Sequence, residues 1–449
     1  VLRRFPGLCQ PNTSPFRRLG RVDRLNWQPL KRCAATPSTL LPMRILHTSD
    51  WHLGQYFLGR SRQAEHQKLI AWLVEQTRLH AVDSVLIAGD IFDTGAPPSY
   101  ARELYYTLIL ALRDAGVGLT LLAGNHDSVA VLEESRHLLT ALHTVVIPSV
   151  QDDPNEQVRV LTTRDGKPGA IVCAIPFIRP RDVLQSIAGQ SARDKQESLQ
   201  DAIHAHYQAL FALAEQKRAE LGAHLPIIAT GHLTTVGASA SESVREIYVG
   251  ALEAFPTSAF PAADYIALGH IHRPQKVGGF EHIRYSGSPI PLSFDEALQQ
   301  KQMLLVDLSE NGLERVTVLD VPCFQPLLSV KGSLKELEAA VSAAASQAVE
   351  GETMWLEIVV SADDYLSDLQ SRIQKITEDL PVEVLRIRRE RSSASNTLQS
   401  QARETLNELT PDDVFARRLQ SESIDEETRL QLLSMYREVV AQIGEADAA

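Results

Sequence analysis

Five short apolar runs in this chain each end abruptly in polar residues that can bind a cation. The run at 119–123 breaks at Gly124 and then presents Asn125, His126 and Asp127 in succession. A run of this length is typical of a buried strand, and a glycine lets the backbone turn sharply at its end. The other four runs end in Asp50 and His52, in Asp90, in His232, and in His270 and His272. One such end is as well explained by a polar turn, but five in one chain indicate a shared site.

The segments between these runs predict alternating strands and helices. Strands are expected at Met43–Thr48, Ser84–Ala88 and 119–123, with amphipathic helices near 65–80 and 100–115 between them. This β-α-β-α-β order implies neighbouring parallel strands joined by right-handed crossovers. Further strands are expected near 170–175, 226–230 and 265–268, and a long helix near 199–221. The sequence therefore predicts an α/β fold.

The length of 449 residues allows two or three domains. We expect the main α/β domain at 43–300, and we expect the strand and helix patterns of 301–391 to form a separate, smaller α+β domain. A Ser/Gln-rich linker is expected at 392–404. The segment 405–449 predicts two short amphipathic helices, which are too small to form a core and must dock either on the parent domain or on a partner.

The first 42 residues differ from the rest of the chain in charge and pattern. They carry eight basic residues and one acid and show no apolar periodicity. Transit peptides are rich in Arg and poor in acids, so this interpretation is open. Because Met43 is followed at once by a strand-like run, we expect instead an upstream extension, disordered or foreign to the native protein.

The overall charge and the cysteines limit the classes of function. The chain carries a net charge of −12, and without the +7 of the leader residues 43–449 carry −19. So acidic a chain has no general electrostatic surface for nucleic acid, and DNA binding must be local, metal-assisted or supplied by a partner. The four cysteines show no CxxC spacing, which fits a reducing cytoplasm. No run approaches the ~20 apolar residues that span a bilayer.

The five polar strand ends predict a metal centre. Ligands of open α/β sheets bind beyond the carboxyl ends of the strands, so these loops should converge. Residues i and i+2 of an extended segment point the same way, which lets Asp50 act with His52, and His270 with His272. Nitrogen and oxygen ligands without thiolate suit Mn²⁺, Fe or Zn²⁺. The set is too large for one ion and fits two, and a carboxylate such as Asp90 could bridge them.

The chain resembles the calcineurin-like metallophosphoesterases through five motifs in a fixed order. They are Asp50-x-His52, Gly89-Asp90-x-x-Asp93, Gly124-Asn125-His126-Asp127, Gly231-His232 and Gly269-His270-x-His272. The longer strings at 45–54, 88–95, 229–237 and 266–273 resemble the double-strand-break-repair nucleases of this superfamily, the branch of the bacterial SbcD subunits. The resemblance extends from Met43 to about Ile443. It implies a four-layer αββα sandwich, a capping domain and a C-terminal helix-loop-helix.

The resemblance also implies a role for each motif residue. One metal ion would take Asp50, His52, Asp90 and His272, and the other would take Asp90, Asn125, His232 and His270. His126 would stabilise the transition state or protonate the leaving 3′ oxygen, with Asp127 orienting it. Related nucleases carry a second active-site histidine where this chain has Asp93, so no catalytic role is assigned to Asp93. Outside the motifs, His66 alone among the remaining histidines is of interest, because it follows the first motif closely.

The implied activity is hydrolysis of DNA phosphodiesters, as a double-strand exonuclease and a hairpin-specific endonuclease in DNA repair, recombination and replication. The implied cofactors are two divalent ions, with Mn²⁺ expected. The implied partners are DNA and an SbcC-type, SMC-like ATPase with a coiled coil, in a heterotetramer that contains a homodimer of this subunit. The chain itself has no G-x-x-x-x-G-K-[ST] phosphate loop. The protein is expected in the cytoplasm, and no association with a membrane is expected.

Two alternative functions share parts of this pattern. A small-molecule, cyclic-nucleotide or protein phosphoesterase would share the metal centre. Protein phosphatases of the superfamily show GDxxDRG and GNHE, whereas this chain has Thr94 after Asp93 and Asp127 after His126. A cyclic-nucleotide phosphodiesterase would not need the segment after residue 300. A non-catalytic scaffold would have lost ligands, and here the set is complete.

Overall fold

The computed structural model describes residues 42–184, 192–241, 244, 254–346, 353–361, 369–389, 432 and 435. Within these ranges the strands are β1 (Met43–Thr48), β2 (Tyr56–Phe57), β3 (Arg60–Ser61), β4 (Ser84–Ala88), β5 (Gly118–Leu122), β6 (Thr144–Ile147), β7 (Val158–Thr162), β8 (Pro168–Cys173), β9 (Ile227–His232), β10 (Tyr265–Gly269), β11 (Gln275–Lys276), β12 (Ile283–Tyr285), β13 (Gln302–Ser309), β14 (Gly312–Asp320), β15 (Leu327–Gly332), β16 (Met354–Val360) and β17 (Val382–Arg389). The α-helices are α1 (Gln63–Leu79), α2 (Ser99–Asp114), α3 (Val129–Glu133), α4 (Arg136–Thr140), α5 (Pro180–Val183), α6 (Ala192–Leu221), α7 (Leu334–Ala345) and α8 (Leu369–Thr377). Short 3-10 helices lie at Pro154–Gln157, Thr257–Ala259 and Phe294–Glu296.

The first sheet has six strands in the order β14-β13-β1-β4-β5-β6. Strands β1, β4, β5 and β6 are parallel, and α1 and α2 form the connections between the first three. Every residue of β4 is buried, which is why this run is apolar throughout rather than alternating. The expected β-α-β-α-β unit is confirmed.

The second sheet also has six strands, in the order β11-β12-β10-β9-β8-β7. Its four central strands β8, β9, β10 and β12 are parallel. The edge strands β7 and β11 are antiparallel to their neighbours. The three later strands expected from the sequence are therefore found side by side, as β8, β9 and β10.

The two sheets pack face to face with helices outside, which gives the expected αββα layers. Alternate residues of one strand enter different cores, as the pleat of a strand requires. Val85 packs in the cluster with α1 and α2, whereas its neighbour Leu86 packs between the sheets. In the second sheet Ile228 enters the layer between the sheets, and Ile227 contributes to the cluster that contains Leu210 of α6.

The expected domain boundary at residue 300 is wrong. Strand β13 is antiparallel to β1, and β14 continues the same sheet, so both extend the first sheet rather than belonging to the smaller domain. The pairing joins Met43 to Leu308 across the chain. At this pairing the Asp307 carboxylate accepts a hydrogen bond from Arg44 at 2.6 Å and another from Arg315 at 2.8 Å. The sandwich therefore continues to Asp320.

The smaller unit starts with β15 and has its own core. Its parallel sheet has the order β15-β16-β17 and packs against α7 and α8. A second cluster joins this unit to the sandwich, because Trp355 of β16 stacks on Phe57 of β2 with ring centroids 5.9 Å apart. Phe294 contacts the same Phe57 ring edge-on at 5.2 Å. We call β15–β17 with α7 and α8 the cap.

Several expectations fall on residues that the structure does not describe. These are the leader, apart from Pro42, the linker at 392–404 and the two helices of 405–449, of which only residues 432 and 435 are placed, both in helical conformation. Among the described residues, no helix has the combined length and apolarity needed to cross a bilayer.

Candidate metal centre

The five polar strand ends converge at the carboxyl ends of the parallel strands of both sheets. Asp50 and His52 follow β1, Asp90 follows β4, and Asn125 follows β5. From the second sheet come His232 at the end of β9, and His270 and His272 after β10. Of the expected ligands, Asn125 is half-buried and the other six are buried, and the expected proton donor His126 is half-buried as well. Because each side chain is carried by a core strand, the fold itself brings the set together.

The expected ligands form two adjacent groups of potential metal-binding atoms. In one group the ligand atoms of Asp50, His52 and His272 all lie within 4.8 Å of one another, and in the other group the same holds for Asp90, His232 and His270. Asn125 belongs to the second group, with Oδ1 lying 3.0 Å from Nε2 of His232 and 3.3 Å from Nδ1 of His270.

Asp90 lies between the two groups. Its Oδ2 atom is 3.2 Å from Nε2 of His232 in the second group and 3.6 Å from Nε2 of His52 in the first. Its other oxygen, Oδ1, accepts a hydrogen bond from the backbone N–H of His126 at 2.9 Å. This position between the groups is the one that a bridging carboxylate would occupy.

Three of the histidines are oriented by an oxygen atom at Nδ1. An acceptor there holds the ring proton on Nδ1 and leaves the Nε2 lone pair directed into the cluster. The pairs are His52 with Asp93 Oδ1 at 3.1 Å, His232 with the Ala88 carbonyl at 2.9 Å, and His272 with Glu296 Oε1 at 3.3 Å. The rings are therefore arranged to bind through Nε2.

The backbone at these strand ends is strained. Asp50, His52, Asp90 and His270 all have positive φ, between 49° and 93°. A non-glycine residue rarely adopts this conformation, and it persists only where the surrounding structure enforces it. Four of the seven expected ligands are thus held in unfavourable backbone conformations, which is typical of a functional site.

Two motif glycines leave room for ligand atoms. A Cβ atom at Gly124 would lie 2.1 Å from Oδ1 of Asp90, and one at Gly89 would lie 2.1 Å from Nδ1 of His232. Neither distance is possible between non-bonded atoms, so a side chain at either position would displace a ligand. The glycines of these two motifs are needed for close packing of the centre as well as for turning the chain.

The electrostatics of the cluster favour a bound cation. Burial alone would lower the pKa of His232, but the Asp90 carboxylate raises it to about 9. Burial likewise opposes ionisation of Asp90, yet His232 holds the pKa of that carboxyl well below its usual range. A buried ionised carboxylate needs a positive partner, which a protonated histidine or a metal ion can supply.

The residues present fit a divalent metal ion. The atom Nε2 of His52 is buried and, among the described residues, has no hydrogen-bond partner, although a buried ring nitrogen ordinarily has one. The donors are imidazole nitrogens and carboxylate and amide oxygens, the mixture that suits Mn²⁺, Fe or Zn²⁺. Among the described residues the cysteines are Cys173 and Cys323, and neither contributes a sulfur atom to these groups of ligand atoms.

His126 lies beside this centre, and Asp93 orients it. The ring of His126 packs edge-on against the ring of His52, with centroids 4.7 Å apart. Its Nδ1 lies 2.7 Å from the carbonyl oxygen of Asp93. A carbonyl only accepts, so Nδ1 donates and Nε2 is the nitrogen that can gain or release a proton.

Asp127, which is expected to orient His126, contacts the backbone of the site. The carboxylate of Asp127 accepts backbone N–H groups from three residues, Gly124 at 2.8 Å, Phe92 at 2.8 Å and Ile91 at 3.1 Å. These contacts tie the loop after β5 to the loop after β4. Asp127 therefore acts on the backbone of the site, while the contact at Nδ1 of His126 comes from Asp93.

Sequence reasoning missed two residues that contact the centre, and the one further histidine that it singled out, His66, lies in the core. Asp93 could have been found from the motif Gly89-Asp90-x-x-Asp93, whereas nothing near Glu296 signals burial. His66 is buried, with Nε2 at 3.0 Å from the Trp51 carbonyl, and burial lowers its pKa to about 3. It supports the loop of the first motif from the core side.

The sequence matches known families over most of its length. The family described as "Calcineurin-like phosphoesterase" matches residues 43–274. The family described as "Type 5 capsule protein repressor C-terminal domain" matches residues 323–423. The first match contains all nine expected site residues, and the second begins after the sandwich ends.

Three curated relatives share one description, the SbcD subunit of the SbcCD nuclease. The chain is 51% identical over 394 residues to the protein of Escherichia coli K12, which covers 88% of this chain and 97% of the relative. It is 32% identical to the Rhodobacter capsulatus protein, over 83% of this chain and 94% of the relative. It is 31% identical to the Bacillus subtilis protein, over 72% of this chain and 81% of the relative. The chain therefore belongs to the calcineurin-like phosphoesterases and, within them, to the family of SbcD nuclease subunits.

Proposed function

We propose that this chain is a metal-dependent nuclease that hydrolyses phosphodiester bonds of DNA. The observation that carries the proposal is the pair of adjacent ligand groups with the Asp90 carboxylate between their histidines and His126 beside them. Two ions bridged by a carboxylate, ~3.5–4 Å apart, are a recurrent arrangement for phosphoester hydrolysis. The relatives named as nuclease subunits support DNA as the substrate.

The ligand assignment is part of the proposal. One ion would be held by Asp50, His52, Asp90 and His272, and the other by Asp90, Asn125, His232 and His270. When bound, the ions would supply the charge that polarises the phosphoryl group and lowers the pKa of an attacking water. Mn²⁺ is the ion we propose, in keeping with the mixed nitrogen and oxygen donors.

His126 provides the proton in this mechanism. Its Nδ1 proton is held by the carbonyl of Asp93, so Nε2 carries the proton that is transferred. As the bond from phosphorus to the leaving 3′ oxygen breaks, that oxygen takes the proton from Nε2, and the imidazole becomes neutral. General acid catalysis of this kind contributes about 10²–10⁴-fold to a rate.

The cellular role also remains a proposal. We propose double-strand exonuclease and hairpin endonuclease activity in DNA repair, recombination and replication, in the cytoplasm. The proposed assembly is a heterotetramer in which two copies of this chain work with an SbcC-type, SMC-like ATPase that has a coiled coil. Residues 43–449 carry a net charge of −19, so the partner is expected to contribute much of the contact with DNA.

The assignment to a partner-binding tail can be tested by deletion. A chain lacking residues 405–449 should fold and keep its metal centre, because the ligands lie between Asp50 and His272. It should be retained less well by the ATPase when the two are purified together. Undiminished co-purification of the shortened chain would rule out docking through this segment.

A phosphoesterase for small molecules is the rival that shares the centre. The match of residues 323–423 and the coverage of the nuclease relatives disfavour it. The purified chain should be tested in Mn²⁺ on linear duplex DNA and on bis(p-nitrophenyl) phosphate, with Asp90→Asn as the variant without the bridging carboxylate. We expect the wild-type chain to cleave both substrates and Asp90→Asn to cleave neither. If the wild-type chain hydrolyses the small diester but leaves DNA intact, both by itself and with the ATPase added, the result would favour the small-molecule phosphoesterase.

A further inference from the structure

A buried carboxylate lies directly behind one of the expected metal ligands. Glu296 has no exposed surface, and its Oε1 is 3.3 Å from Nδ1 of His272. His272 belongs to the first ligand group, together with Asp50 and His52. No motif contains Glu296, which lies in the 3-10 helix Phe294–Glu296 between β12 of the second sheet and β13 of the first.

The surroundings of Glu296 keep it ionised and fixed in place. Lys301, also buried, donates from Nζ to Oε2 of Glu296 at 2.7 Å, and it further contacts Ser288 Oγ at 2.9 Å. Oε2 also accepts the backbone N–H of Leu292 at 3.0 Å. The hydroxyl of Ser241 donates to Oε1 at 2.6 Å. A buried glutamate is costly unless it is paired and hydrogen-bonded, and here both oxygens are engaged.

Glu296 contacts Nδ1 of His272 in the same way as the motif residue Asp93 contacts Nδ1 of His52. A carboxylate at Nδ1 holds the proton on that nitrogen, fixes the rotation of the ring and raises the basicity of Nε2. We propose that Glu296, with Lys301 as its counter-charge, is a positioning residue that sets the tautomer and orientation of His272 for metal binding. This inference rests on the metal centre proposed above.

The same short helix is held by the cap. Phe294, two residues before Glu296, packs in one cluster with Leu327 and Trp355 of the cap and lies under the guanidinium of Arg386 of β17 at 5.7 Å. The position of Glu296 is therefore set from one side by Lys301 and from the other by the cap. This explains how a ligand-orienting residue can lie outside the strand-end loops that carry all the ligands.

Direct binding of Mn²⁺ tests the proposal without an activity assay. Metal-free protein is titrated with Mn²⁺, and the unbound ion is measured by electron paramagnetic resonance for the wild-type chain and for Glu296→Ala, Glu296→Gln and Asp307→Ala. Asp307 is the matched control, because it is a buried carboxylate ion-paired to two arginines far from the ligands. We expect Glu296→Ala to weaken the affinity of one site by about 10-fold or more, and Asp307→Ala to leave both affinities unchanged.

The outcomes separate this proposal from the proposal of the metal centre itself. If the wild-type chain binds no Mn²⁺, the metal centre fails. If the wild-type chain binds two ions and Glu296→Ala binds them equally well, only the role of Glu296 is overturned. An equal loss of Mn²⁺ affinity in Glu296→Ala and Asp307→Ala would also overturn that role. Should Glu296→Ala fail to fold, the near-isosteric Glu296→Gln decides. The glutamine keeps a hydrogen-bond acceptor but loses the charge, so we expect Glu296→Gln to bind Mn²⁺ several-fold more weakly than wild type. Mn²⁺ affinity equal to that of wild type would contradict the proposal.

Discussion

The carboxylate of Asp93 lies 3.1 Å from Nδ1 of His52, while the backbone carbonyl of the same residue holds Nδ1 of His126 at 2.7 Å. One residue thus orients an expected metal ligand with its side chain and the expected proton donor with its main chain. The two functions can be separated, because a substitution removes the carboxylate and leaves the carbonyl in place.

Replacing Asp93 should therefore weaken metal binding more than it affects the proton donor. In Asp93→Ala the His52 ring loses its acceptor, and we expect the Mn²⁺ concentration for half-maximal cleavage to rise about 10-fold. At saturating Mn²⁺ the rate should recover to near the wild-type value. A rate that stays low at every Mn²⁺ concentration would instead give the Asp93 side chain a direct part in the reaction.

Replacing Asp127 should cost stability. Its two oxygens accept three backbone N–H groups, and in Asp127→Asn an amide group would face one of these donors. Hydrogen bonds to a charged group are worth about 1.5–3 kcal/mol each, so we expect the free energy of unfolding to fall by about 2–3 kcal/mol. Denaturant unfolding measures this, with His126→Gln as the control, which removes the hydrogen bond to the Asp93 carbonyl and should cost at most about 1.5 kcal/mol. An inactive Asp127→Asn protein of wild-type stability would support the orienting role expected from the sequence.

The buried histidine His47 should make the fold sensitive to acid. Burial lowers its pKa from 6.5 to about 3, and its Nδ1 lies 2.9 Å from the hydroxyl of Tyr265. Between pH 6.5 and about 3, His47 binds a proton in the unfolded chain but not in the native state, so the free energy of unfolding falls as the pH falls. The contribution of this one group approaches about 1.4 kcal/mol per pH unit.

The matching experiment compares the pH dependence of unfolding. Between pH 7 and pH 5, His47→Gln should lose less stability than the wild-type chain, whereas His137→Gln, which removes an exposed imidazole, should lose the same amount as wild type. Equal losses in all three proteins would show that His47 does not contribute to the pH dependence.

Much of the sandwich could be predicted because its central strands carry their own signal. Strands such as β4 are buried on both faces and read as apolar runs bounded by turn residues. The membership of β13 and β14 in the first sheet could not be predicted. Met43 pairs with Leu308 across the whole domain, and no local pattern indicates which distant strand an apolar run will join. The expected boundary therefore fell where the composition changes rather than where the core ends.

The expected ligands were accessible to sequence reasoning because each follows a strand, and strand ends meet by topology. The residues that orient them were not accessible in the same way. Glu296 and Lys301 lie in a mixed polar segment that resembles an exposed loop, and they are buried through tertiary contacts that the local sequence does not indicate. The orienting role of Asp127 came from the resemblance alone, and its contacts with the backbone of two loops carry no local signal in the sequence.

The central claim is that this centre cleaves DNA with His126 as the proton donor. The most direct measurement is cleavage of a hairpin-ended linear duplex in Mn²⁺ by the wild-type chain and by His126→Gln, with Mn²⁺ binding measured on both. We expect cleavage by the wild-type chain, a rate at least about 10²-fold lower for His126→Gln, and equal metal binding. Equal cleavage rates for the two proteins would remove His126 from the mechanism, and intact DNA with the wild-type chain, alone and with the ATPase added, would contradict the nuclease assignment.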